Sequence, residues 1–182
     1  MSSFGVVLDA CVLVPAALRD TLLRAAQRGL YRPCWSEMIL GEVERTLTRT
    51  GLATLAGARR LVAILRDRFP RAVATGYERL IPGMVTRDAD DRHVVAAAVA
   101  AHAQVIVTFN LRDFPEVGLV PYGLEAQHPD GFLTSLYELA PATLREVVAE
   151  QAAALRRPPR SYDDILDNLT GQVPEFARLM RG

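Results

Sequence analysis

The chain has 182 residues, half of them hydrophobic and only 7% aromatic, which suits one domain with an appendage and a core of Ala, Val and Leu. Net charge is zero but uneven: residues 1–80 hold 12 arginines against seven acids, residues 81–182 hold nine against 14, and all 21 basic residues are arginine. No apolar run reaches the roughly 20 residues that span a bilayer, and MSSFGVVLDAC lacks both a basic region and a cleavage site. Cys11 and Cys34 fit no metal spacing with any histidine pair, so a membrane protein, a secreted disulfide scaffold and a zinc module are set aside and a cytoplasmic protein is expected.

Phe4–Leu8 is a short apolar run between polar residues, the pattern of a buried parallel strand. A helix is predicted after Pro15, with Leu18, Leu22, Leu23 and Ala26 on one face and Gly29 as its stop. YRPCWS reads as a connector or short strand, and Ser36 caps a helix whose apolar face carries Ile39, Leu40, Val43 and Leu47. A third helix is expected from about Leu52 to Phe69, ended by Pro70. Ala72–Ala74 and Gly83–Val85 are weaker strand candidates. Asp88, Asp90 or Asp91 can cap an alanine-rich helix from Arg92 to about Ala103. Val105–Thr108 is a second buried strand, and Val117–Val120 is a third candidate. Strands alternating with helices over 4–122 predict an α/β fold with a mainly parallel sheet. Residues 123–182 are expected to be a helical extension, with helices at Gly131–Leu139, Pro141–Leu155, Tyr162–Leu169 and Pro174–Met180.

Four acids sit where an apolar strand ends or beside a helix: Asp9, Glu42, Asp91 and Asp113. Ligands of parallel sheets collect at the carboxyl ends of strands, which is where Asp9 and the Asn110–Asp113 loop fall. Carboxylates gathered there repel one another unless a cation lies among them. Oxygen donors favour Mg²⁺ or Mn²⁺ over zinc. Each acid also has a simpler reading: Asp9 and Asp91 as helix caps, Glu42 as an ion pair with Arg45, Asp113 as a turn residue. Thr108 and Asn110 are placed to orient ligands or waters. Within 45–79 there are eight arginines and two acids, so Arg45, Arg49, Arg59, Arg60 and Arg66 are candidates for phosphate contact, or else a solvated helical face. Dinucleotide and P-loop motifs are absent, as is GxSxG, and His93, His102 and His128 form no zinc motif.

The segments VVLDACVLVPAALRDTLLRAA, YRPCWSEMILGEVERTL and DADDRHVVAAAVAAHAQVIVTFNLRDFP, in this order over residues 4–122, resemble the PIN domain family, most closely the toxin ribonucleases of bacterial VapBC-type toxin–antitoxin modules. The resemblance implies an α/β/α sandwich around a parallel sheet and Mg²⁺- or Mn²⁺-dependent cleavage of RNA. It matches Asp9, Glu42 and Asp91 to the family's acids, with Asp90 a near neighbour. In the fourth region Asn110 stands where an acid is common and Asp113 supplies one three residues later. Cys11 stands where Asn or Ser is common, so a polar contact to the metal loop is expected to be lost. The resemblance also implies a cognate antitoxin, a homodimer, and an extension at 123–182 like that of larger toxin-like relatives. A housekeeping PIN nuclease and a metal-free RNA-binding or scaffold protein remain open alternatives.

Overall fold

The computed structural model describes residues 4–182; the first three residues of the N-terminal segment lie outside it. Strand β1 (Gly5–Leu8) is buried along its length, and Asp9 ends it by capping the one-turn helix α1 (Ala10–Leu13). Helix α2 (Ala16–Gln27) follows Pro15, and Gly29 closes it with φ +77°, a conformation that glycine adopts without a Cβ penalty. β2 (Arg32–Cys34) pairs in parallel with β1. Helix α3 (Glu37–Arg49) has Ser36 as its cap, accepting from the Ile39 amide at 3.1 Å, and buries Ile39, Leu40, Val43 and Leu47. Helix α4 (Leu55–Arg68) starts later than expected because Thr54 is its cap.

Three strand expectations fail here for identifiable reasons. Ala72–Ala74 makes only an isolated bridge, Val73 with Trp35. Gly83–Val85 is preceded by a 3₁₀ turn over Glu78–Gly83 that contains Pro82, and proline cannot donate to a ladder. Val117–Val120 is helical, because Pro115 starts helix α6 (Glu116–Leu119) instead. Between these segments lie helix α5 (Arg92–Ala100), preceded by a 3₁₀ turn at Ala89–Asp91, and strand β3 (Val105–Val107). A fourth strand, β4 (Glu125–Gln127), was not expected; it pairs in parallel with β3 and lies beyond the anticipated boundary at 122.

The sheet order is β2-β1-β3-β4, all parallel. The chain therefore moves one way from β1 to β2 and the other way from β2 to β3. With right-handed crossovers this sends α2 to one face and α3–α5 to the other. The reversal point lies between β1 and β3, where an open α/β sheet forms its ligand crevice. The extension is helical as expected: α7 (Pro129–Leu139), α8 (Pro141–Ala154), α9 (Tyr162–Thr170) and α10 (Pro174–Arg181). It is packed tightly onto the sheet domain. Phe132 meets Tyr31 edge-on with centroids 5.2 Å apart, and buried Thr21 donates to Gln151 at 2.8 Å. Both cysteines are free, and no described helix is long and apolar enough to cross a membrane.

Candidate active site

The carboxyl ends of β1 and β3 are neighbours, so Asp9 and Thr108, 99 residues apart in sequence, come into contact. Asp9 is 5% exposed. Its Oδ2 accepts from the Thr108 hydroxyl at 2.7 Å and from the Cys11 thiol at 3.2 Å, while Oδ1 accepts from the Ala10 amide at 2.7 Å. Asp9 thus serves as a helix cap and as a fixed carboxylate at the crevice. Thr108 is fully buried and also accepts from the Asn110 amide at 3.0 Å, so it ties that loop to Asp9. The expected loss at Cys11 does not occur: burial, and then the charge of Asp9, push the thiol up to about 12, so it stays protonated and donates to Asp9. Its sulfur also accepts from the Phe109 amide at 3.3 Å.

Asp91 is relieved of capping because Asp88 caps the turn, accepting from the Asp90 amide at 3.0 Å. Asp91 is half-buried, and its carboxyl is raised from 3.8 to about 6, first by burial and then by the charges of Asp9, Asp113, Asp88 and Glu42. All four acids singled out from the sequence therefore bear on one place. Asp88 and Asp90 are both exposed, and Asp88 is among the charges acting on Asp91. Glu42 does not pair with Arg45; its Oε1 lies 2.8 Å from Nε2 of His93, a residue 2% exposed. His93 Nδ1 has no partner, so the tautomer with the proton on Nε2 donates to Glu42 without stranding a buried N–H. Asp113 closes the turn Leu111–Asp113, and its carbonyl accepts from the Arg87 amide at 2.9 Å. Asn110 is exposed.

The donor set is all oxygen, the ligand type that hard divalent cations prefer. Among the described residues no group of three or more His, Cys, Asp or Glu side chains is arranged to hold a metal ion; the acids are linked by their charges acting on Asp91. The arginine stripe is less available than its count promised. Arg59 is bonded to Glu44 at 3.3 Å and Arg66 grips Glu37 with two nitrogens, whereas Arg45, Arg49 and Arg60 are exposed. Arginines that the sequence did not single out lie closer: Arg87 and Arg112 line a cleft with Asn110 and Asp113. A larger cavity, about 710 Å³, lies away from the acids between α2, α4 and the extension.

A family model for the PIN domain matches residues 5–112, more than half of the chain. The chain belongs to the PIN domain family. Its Asp9, Glu42 and Asp91 all fall inside the matched PIN segment, and Asp113 lies one residue past it. A model of the VapC50 C-terminal domain matches residues 129–182, the four helices of the extension. The chain is 43% identical over 110 residues to a Mycobacterium tuberculosis protein named "Putative ribonuclease VapC50". That similarity covers 60% of this chain and 64% of the relative, just under two thirds of its length. No solved structure is a significant match.

Proposed function

We propose that this PIN-domain chain is a Mg²⁺- or Mn²⁺-dependent endoribonuclease that acts as the toxin of a type II toxin–antitoxin pair. The observation that carries the reading is the convergence of Asp9, Glu42 and Asp113 on Asp91, whose carboxyl is held at about 6. Asp9, Asp91 and Asp113 would hold the cation. When bound, it supplies a water of lowered pKa and neutralises charge on the scissile phosphate. Asp9 is presented without rearrangement, since Thr108, Cys11 and the Ala10 amide already fix both its oxygens. Glu42, held through Oε1 by His93, keeps its other oxygen for a water's proton. The likeness to a protein named as a ribonuclease supports RNA as the substrate. The VapC50 C-terminal match supports a toxin with an antitoxin whose cationic group would replace the ion among these acids.

The test is Asp9→Asn. It should abolish Mg²⁺- or Mn²⁺-dependent RNA cleavage and growth arrest on induced expression, while circular dichroism and solubility match the parent. Equal cleavage by parent and variant would refute the assignment. Sequencing RNA ends after brief induction, with the variant as control, identifies the cleaved RNA.

A further inference from the structure

The cleft beside the acids holds about 490 Å³ and is lined by Arg87, Phe109, Asn110, Leu111, Arg112 and Asp113. That is the size range of small-ligand sites. Its two sides come from segments 25 residues apart and are joined by the Arg87 amide donating to the Asp113 carbonyl at 2.9 Å. Both guanidiniums are exposed, and among the described residues neither has a carboxylate partner. The Phe109 ring packs against His128 in a T-shaped contact with centroids 5.2 Å apart, and its amide is fixed on Cys11. Asp113 belongs both to this cleft and to the charges acting on Asp91, so the cleft and the acidic centre share a residue.

We propose that this cleft is a subsite for one unpaired ribonucleotide next to the bond being cut, with Arg87 and Arg112 on its phosphates, Phe109 under its base and Asn110 at the base edge. This rests on the nuclease reading above and adds to it the residues that seat a nucleotide beside the cut. Guanidinium forks match phosphate oxygens. An aromatic face stacks only on a base freed from a helix. Of the five arginines of residues 45–66, two are already paired with Glu44 and Glu37.

The test uses the full chain carrying Asp9→Asn, which keeps RNA intact, and a fluorescein-labelled octamer of unstructured RNA read by anisotropy. Arg87→Ala with Arg112→Ala should weaken binding at least tenfold and make the salt dependence shallower by about 1.4 in log–log slope, for two phosphate contacts on a single strand. Replacing bases one at a time by abasic positions should cost at least fivefold at one position only. A duplex of the same length should bind weakly and without dependence on these arginines. Unchanged octamer binding in the double variant, equal losses at every abasic position, or no measurable octamer binding at all would each overturn the subsite. Cleavage with unchanged binding would sink the subsite and leave the nuclease reading. Arginine-dependent binding by a parent chain that cuts no RNA would sink the nuclease reading and leave the subsite.

Discussion

Asp91→Asn should stabilise the metal-free protein. Asp91 has its carboxyl raised from 3.8 to about 6 by burial and by four neighbouring carboxylates. A shift of about two pKa units corresponds to roughly 3 kcal/mol between protonation states, and because the side chain is only half-buried, screening cuts this to about 1–1.5 kcal/mol. Below pH 4 both folded and unfolded chains hold the proton and no penalty exists. Between pH 4 and 6 the unfolded chain ionises while the folded one retains its proton, so stability falls as pH rises. Above pH 6 both are charged and the whole penalty is present. Asparagine keeps the shape and removes the charge. Thermal unfolding in EDTA should therefore show no gain at pH 4, a gain growing to pH 6, and a constant gain of about 3–5 °C above pH 7. Added Mn²⁺ should reverse the order, stabilising the parent more than the variant. A gain independent of pH, or a variant less stable at pH 7.5 in EDTA, would refute the convergence of charge on Asp91.

Thr108→Val keeps the volume but removes the hydroxyl that donates to Asp9 and accepts from Asn110; it should cost about 1–3 kcal/mol in urea unfolding and weaken Mn²⁺ binding by calorimetry. Gly118→Ala would place a Cβ 2.1 Å from the Val85 carbonyl oxygen, a backbone clash expected to cost about 1–3 kcal/mol and several degrees of Tm. Deleting 123–182 removes β4 along with Phe132 and Gln151, so the truncated chain should be insoluble; a soluble, cooperatively folding product would show that the sheet domain stands alone.

Much of the framework was legible because local chemistry and tertiary role agree. Ser36 followed by Ile39, Leu40, Val43 and Leu47 names a cap and a buried face at once. Proline marks the starts of α8 and α10 just as well, whereas α7 begins at Pro129, two residues before the expected Gly131. β4 was invisible since Glu-Ala-Gln at a half-exposed edge carries no apolar signal. Asp9 and Asp91 could be named because one ends a strand and the other precedes a helix, whereas Glu42 lies inside α3. Their pairings could not, although Thr108 was itself a candidate: His93 reaches Glu42 across 51 residues and Thr108 reaches Asp9 across 99. Arg87 and Arg112 escaped notice for the same reason, as only the Arg87–Asp113 backbone bond puts them on one cleft.

The tripeptide His128–Asp130 touches three parts of the molecule. His128 braces Phe109 and accepts from the Asp130 amide, Pro129 opens α7, and the Asp130 carboxylate accepts from the Glu175 and Phe176 amides at the head of α10. The VapC50 C-terminal match begins at residue 129, within this rivet rather than in a loose linker. Shuffling the extension between relatives would therefore disturb the Phe109 loop and the final helix together. The two halves of the chain are expected to evolve as one inheritance unit, with exchange tolerated only when the rivet travels with its sockets.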